Sequence, residues 1–311
     1  MTPAPGPASA PFPGWDEGFA LALTRLRFAL RQPAAGRWAG PDRSRQKGRG
    51  LEFLDHRPYA PGDDPRLVDW RAYARHRRLL TRQFAEDREQ AVVLILDRSG
   101  SMDFGEGPGH KGRWSLAVAA ALAQVGVLQH QATAVVVLLE PGGPRLLPPA
   151  AGREGLGALF ARLGAVPPPA GEVRLGEALA RLRGLPLPSG PVVLVSDLLT
   201  PDWPGGVAAL GTLGARGFDP AVIQPLAPEE WEPPLAGELE LEDAETGLRR
   251  EAVWSPRGLA AYRERLAAFL AEVRRECHRR GVRHVALSTA VPVPGAVLRE
   301  LPRAGLLTVH G

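Results

Sequence analysis

With 311 residues, 44% hydrophobic and 23% charged, the chain can build one large or two modest globular domains around a packed core. A formal charge of +4 gives little ground for a nucleic-acid binder, and the positive charge is nearly all arginine, with Lys47 and Lys111 the only lysines. A single cysteine, Cys277, excludes an intramolecular disulfide and any multi-cysteine metal centre, and suits a reducing compartment, the cytoplasm.

The first 14 residues are rich in Pro, Ala and Gly, with neither the basic start nor the apolar core of a signal peptide, and are expected to be flexible. A short amphipathic helix is predicted from Trp15 to Leu30. A basic, glycine-containing loop spans Arg43 to Gly50, and a dense polar and aromatic block runs from Leu51 to Phe84. From Ala91 the pattern changes. Ala91–Leu96 is a continuous apolar run closing on Asp97, the mark of a strand buried on both faces. Trp114–His130 reads as an apolar helix and Thr133–Leu139 as a second buried strand. The stretch around Ala117–Leu128 is too short, and too interrupted by Gln124 and Gly126, to span a bilayer. Helices are predicted over Leu156–Leu163 and Leu175–Leu182. A third strand, Val192–Val195, precedes Asp197; a helix over Val207–Ala215 and a strand over Phe218–Ile223 follow. Glu238–Val253 alternates like an exposed hairpin turning near Thr246-Gly247. Pro256–Arg280 is the longest helix, stopped at Gly281, and His284–Leu287 is a last strand. Strands alternating with helices imply an α/β fold with a doubly wound, mostly parallel sheet.

Ligand sites in such sheets lie at the carboxyl ends of strands. Two strands end there in aspartate, in the segments LILDRSGSM (Asp97) and VLVSDLLTP (Asp197). Asp97, Ser99 and Ser101 alternate, so an extended loop turns their oxygens to one side. Carboxylate and hydroxyl oxygens with open water positions suit Mg²⁺. A plainer reading has the same three residues capping the next turn through side-chain to backbone bonds. Two enzyme readings fail on the residues. A haloacid-dehalogenase-type phosphatase needs a second aspartate where Ser99 stands, and a serine-hydrolase elbow needs glycines where Asp97 and Ser101 stand. No G-x-x-x-x-G-K-[ST] phosphate loop occurs.

The D-x-S-x-S pattern closing a buried strand resembles the metal-ion-dependent adhesion site of von Willebrand A domains. That resemblance implies a Rossmann-type sheet and a shell completed by a threonine from a second loop and an aspartate from a third. Asp197 matches the third-loop aspartate. The second loop departs: Gly171-Glu-Val-Arg-Leu175 puts Val173, which cannot ligate a metal, where the threonine would stand, with Glu172 and Arg174 beside it.

The block GRGLEFLDHRPYAPGDDPRLVDWRAYARHRRLLTRQF, residues 48–84, resembles the signature of the domain-of-unknown-function 58 family through Glu52, Phe53, Arg57, Tyr59, Gly62, Asp63, Asp64, Arg66, Asp69, Trp70, Ala74 and Arg75. Glu245-Thr-Gly247 and the helix ahead of Cys277 extend the likeness over residues 40–310. From charge alone, Asp63, Asp64 and Asp69 facing Arg57, Arg66, Arg71 and Arg75 read as an ion-pair clasp, with Tyr59 and Trp70 holding it against the sheet; the alternative is a partner-docking surface. Arg75-His-Arg-Arg78 could meet phosphates, but interleaved acids break any basic stripe, so no nucleic acid is expected. The family resemblance implies a bacterial cytoplasmic adaptor beside an AAA+ ATPase of the MoxR type, not an enzyme, with Asp97, Ser99, Ser101 and Asp197 as metal residues and Mg²⁺ as cofactor. Its alternatives are a Mg²⁺-dependent phosphoester hydrolase and a scaffold with a non-functional metal site. The expected layout is a flexible N-terminus and short helix (1–40), the signature extension (41–88) and the von Willebrand A-like domain with its C-terminal helix (89–311).

Overall fold

The computed structural model describes residues 12, 14–30, 52–60, 65, 68–85, 91–130, 133–184, 190–234 and 237–309. The chain divides into two units, residues 33–89 and the remainder. In chain order the elements are α1 (Glu17–Leu23), β1 (Leu26–Phe28), β2 (Glu52–Pro58), α2 (Trp70–His76), β3 (Leu80–Ala85), β4 (Ala91–Asp97), α3 (Lys111–His130), β5 (Thr133–Glu140) and β6 (Gly143–Leu146). There follow α4 (Gly152–Gly164), α5 (Leu175–Arg181), β7 (Pro191–Val195), α6 (Trp203–Ala215), β8 (Asp219–Leu226), α7 (Pro228–Trp231), β9 (Gly237–Glu242), β10 (Arg249–Trp254), α8 (Pro256–Arg279), β11 (Arg283–Ser288) and β12 (Leu307–Val309).

The larger unit is built on a six-stranded sheet in the order β11-β8-β7-β4-β5-β6. Its strand pairs are parallel except at the edge, where β6 runs antiparallel to β5. Counted along the chain, this is the doubly wound order 3-2-1-4-5-6, with β4 at its centre. The apolar runs explain it. Every residue of β4 is buried, and its side chains alternate: Val92, Leu94 and Leu96 enter one core layer, Ala91, Val93 and Ile95 the other. Helices α3 and α4 cover the first layer, α5, α6 and α8 the second.

Helix α3 lacks an apolar stripe because it is buried nearly all round, from Trp114 through Val127. Its outer side is covered by Phe12, Trp15, Phe19 and Leu23, and Gln124 Nε2 donates to the Ala20 carbonyl at 3.1 Å. The N-terminal segment thus belongs to the α/β core. Here the structure departs from the sequence expectation of a separate residue 1–40 region with one helix to Leu30. Helix α1 starts on its cap, Asp16, and stops at Leu23, and the chain then enters β1, which pairs with β12 through Leu26↔Val309. That partner lies at the far end of the chain, beyond the reach of local periodicity.

In the smaller unit β2 and β3 form an antiparallel hairpin around α2.

Candidate metal-ion-dependent adhesion site

Asp97 closes β4 and Asp197 stands two residues past the end of β7, and these two strands are neighbours, paired through Leu96↔Val195. From β4 the chain winds to β5 and β6 on one side and, later, to β7 and β8 on the other. The two aspartates therefore flank the topological switch point, where an open sheet leaves a crevice. Both are buried, as are Ser99 and Ser196.

The Asp97 carboxylate organises the first loop. Its Oδ1 accepts from the Ser99 N–H at 2.9 Å and its Oδ2 from the Ser196 hydroxyl at 2.6 Å. Ser99 Oγ and Ser101 Oγ lie 3.1 Å apart, and Ser101 Oγ donates to Asp197 Oδ1 at 3.2 Å. The side-chain to backbone capping reading thus holds for Asp97 but not for the serines, whose hydroxyls turn to one another and to Asp197. In an octahedral Mg²⁺ shell with bonds of roughly 2.0–2.1 Å, neighbouring oxygens sit about 2.9 Å apart. The Ser99–Ser101 and Ser101–Asp197 oxygen separations, 3.1 and 3.2 Å, are close to that spacing, and the oxygen chemistry of these donors suits a small hard cation. Burial, and next to it the charge of Asp197, push the Asp97 carboxyl up to about 6 against the hydrogen bonds from Ser196 and Ser99. A divalent cation is what would offset that cost. Among the described residues no group of three or more His, Cys, Asp or Glu is arranged to hold a metal.

The loop after β7 is set by the same residues. Leu199 N donates to Asp197 Oδ1 at 3.0 Å and Leu198 N to Ser196 Oγ at 3.1 Å. These bonds hold Leu198 at a φ of +60°, a left-handed conformation that costs a leucine on the order of 1 kcal/mol. Behind it, Gln224 Nε2 donates to the Asp197 carbonyl at 2.7 Å, which leaves Gln224 Oε1 to accept from His284 Nε2 at 2.8 Å.

Three residues that the sequence did not single out as ligands shape the site. Lys111, fully buried at the start of α3, places Nζ 2.7 Å from both Asp197 Oδ2 and Glu230 Oε1. Burial works to lower the ammonium's pKa, but Asp197 and Glu230 outweigh it and the net shift is upward. Glu230, on α7, also accepts from Ala227 N at 2.7 Å, and its carbonyl takes the Tyr262 hydroxyl at 2.6 Å. The third is Glu245, in the β9–β10 turn. Its Oε1 is buried and has no hydrogen-bond partner among the described residues. Burial first, then Asp97, Asp197, Asp243 and Glu172, push its carboxyl up to about 7. One signal for Lys111 was available: in a chain that otherwise uses arginine, a lysine at a helix start marks a pocket shaped for a compact ammonium.

The second loop supplies backbone rather than a ligand. Gly171 O accepts from Gly100 N at 2.7 Å and Ala170 N donates to Arg98 O at 3.0 Å. Val173 turns into the core beside Leu175 and is 3% exposed, so it stands in no metal shell. Asp202 accepts from Leu175 N and Gly176 N at 3.0 and 2.8 Å, capping α5 from the loop before α6. Glu172 and Arg174 are half-exposed or more and pair weakly at 3.7 Å.

The signature block lies in the smaller unit. Asp69 caps α2, accepting from Arg71 N and Ala72 N at 2.9 and 3.0 Å, and its other oxygen meets His56 Nε2 at 2.9 Å. Asp69 thus serves as cap and histidine partner. Trp70 was expected as packed apolar mass; it is instead 61% exposed, in edge contact with Tyr73 at 6.3 Å. Arg75 is exposed. Arg57 lends its backbone to β2, while its side chain, together with Asp63, Asp64 and Arg66, lies outside the described residues.

Among the described residues no helix is long and apolar enough to cross a membrane. The chain is similar to an uncharacterized protein of Mycobacterium tuberculosis, 31% identical over 264 residues, covering 84% of this chain and 81% of that one. Among solved structures it is similar to the conserved hypothetical protein BatB from Bacteroides thetaiotaomicron (14% identity, TM-score 0.43, 69% of this chain and 98% of that chain). It is also similar to the SpRpn10 VWA domain (8% identity, TM-score 0.39, 68% and 95%). The strand order with its antiparallel edge, not these likenesses, sets the fold as doubly wound and von Willebrand A-like. Residues 55–276 match the family described as "Protein of unknown function DUF58", and the chain belongs to that family.

Proposed function

We propose that this protein is a non-catalytic adaptor that binds a protein partner through a Mg²⁺ ion held by Asp97, Ser99, Ser101 and Asp197. The observation that carries this reading is the cluster of Ser99 Oγ, Ser101 Oγ and Asp197 Oδ1, with successive separations of 3.1 and 3.2 Å, at the switch point of the sheet. Such a site keeps exchangeable positions, and a carboxylate from a partner is the natural incoming ligand. The partner we propose is an AAA+ ATPase of the MoxR type, in a bacterial cytoplasm. The test is binding of the purified chain to the purified ATPase, wild type against Asp97→Asn, both with Mg²⁺. Loss of binding in Asp97→Asn supports the reading; equal binding by both contradicts it.

A second reading, a scaffold whose metal site is non-functional, is favoured by Lys111, whose ammonium already occupies one oxygen of Asp197, and by the burial of Val173. It predicts partner binding that ignores both Mg²⁺ and Asp97.

A further inference from the structure

A cavity of about 360 Å³ is lined by the first loop, the start of α3, the end of α4 and the run of three prolines that follows α4. Its walls are mostly apolar: Phe12, Leu116, Leu163 and the prolines at 167–169. They are also firmly set. Pro169 packs on α3 where Gly112 has no side chain, since a Cβ there would fall 2.8 Å from Pro169 Cγ, and the Phe12 ring is held by Trp15 at 5.9 Å. Pockets of about 300–1,000 Å³ with apolar walls and a few fixed polar groups are the usual seats of small molecules.

The polar group here is Arg98, between Asp97 and Ser99 in the chain and 4% exposed. Its guanidinium turns to the proline run, where one Nη2–H goes to the Pro167 carbonyl. A guanidinium has five N–H donors in a fixed fork and stays charged, so a single neutral carbonyl leaves most of it unmatched. Burial lowers its pKa, and Glu140, Asp97 and Asp103 oppose this through charge alone; among the described residues none of them forms an ion pair with it. Asp103, an acid of the lining, is turned to His110 Nε2 at 3.1 Å and is 46% exposed. Arg113, also in the lining, is exposed and adds a second positive charge.

We propose that this cavity binds a small carboxylate carried on a short apolar or aromatic group, its carboxylate gripped by the Arg98 fork and its apolar part laid against Leu116, Leu163 and the prolines. Two parallel N–H···O bonds from a guanidinium match a carboxylate, and the apolar walls favour a ligand with an apolar body over an inorganic anion. The site stands whether or not a cation binds at Asp97. It also reaches the first loop, because Arg98 N donates to Leu139 O and Arg98 O accepts from Ala170 N, both at 3.0 Å. A ligand on Arg98 thus stiffens the segment that carries Asp97 and Ser99.

The probes are phenylacetate and hexanoate, titrated into the full chain by calorimetry, with phenylacetamide and inorganic phosphate as controls. Wild type is expected to bind at least one of the two acids saturably at one site, and the amide and phosphate about tenfold or more weakly. Arg98→Lys keeps the charge but loses the fork, and is expected to bind the acid about tenfold more weakly. Nuclear Overhauser contacts from the bound acid to the methyls of Leu116 and Leu163 in wild type locate the ligand without any substitution, so the proposal stays testable if Arg98→Lys does not fold. Absence of saturable binding by both acids overturns it. Equal binding of the amide or of phosphate, contacts confined to other residues, or full affinity in a folded Arg98→Lys overturns it as well.

Discussion

Lys111 Nζ lies 2.7 Å from Asp197 Oδ2, with neither side chain more than 1% exposed. The only lysine of the α/β unit thus neutralises the aspartate that closes the switch point, and through Glu230, also at 2.7 Å, it ties the start of α3 to α7. Removing one partner of a buried pair leaves an uncompensated charge. Lys111→Met is expected to cost about 3–5 kcal/mol in urea unfolding. Mg²⁺ should recover part of that loss, because it supplies the missing positive charge. A loss below about 1 kcal/mol, the range of exposed pairs, would contradict the buried assignment.

His284 is kept neutral. Burial, with Arg274 second, depresses its pKa to about 4, and its Nε2–H is spent on Gln224 behind Asp197. The ordinary value is about 6.5. Between those values the unfolded chain binds the proton and the folded chain does not, so stability is intact above about pH 6.5 and is lost as pH falls toward 4. In wild type this contributes a loss on the order of 2 kcal/mol between pH 7 and pH 5. Replacing His284 with Gln should remove that part of the pH dependence in denaturant titrations at pH 7 and pH 5. An unchanged slope would mean that His284 titrates normally in the fold.

Asp69 is the cap of a short helix of seven residues, which has little stability of its own. Asp69→Ala should cost ~1 kcal/mol, felt within the smaller unit. Hydrogen exchange is the readout: the amides of Arg71 and Ala72, bonded to Asp69 Oδ1, should lose protection while the amides of β4 keep theirs.

Much of this architecture is legible in the chain. The strands β4, β5, β7 and β8 are apolar runs because both sheet faces are covered, and two of them hand over to the aspartates of the site. The long amphipathic α8, its stop at Gly281 and the turn at Thr246-Gly247 follow from local chemistry. What escapes is decided by distance. β6, with Gly143 and Pro144, has no strand signature and exists because β5 offers it an edge. β1 exists because β12 pairs with it. At the site, Asp97 and Ser99 announce themselves by spacing, whereas Ser196, Lys111, Glu230 and Glu245 converge only once the sheet has wound. Val173 could be read as a non-ligand, but its inward turn into the α5 core is a property of packing.

The proposed adaptor role requires that the oxygens of Ser99, Ser101 and Asp197 hold a divalent cation. Calorimetric titration of Mg²⁺ into the chelator-treated chain, wild type against a Ser99→Ala, Ser101→Ala double variant, tests it most directly. Wild type is expected to show saturable one-to-one binding, and removing both hydroxyls to lower the affinity by at least about an order of magnitude, as ligands leave a small shell. Equal titrations for the two proteins, or no heat from either, would contradict it and leave Lys111 as the cation of this site.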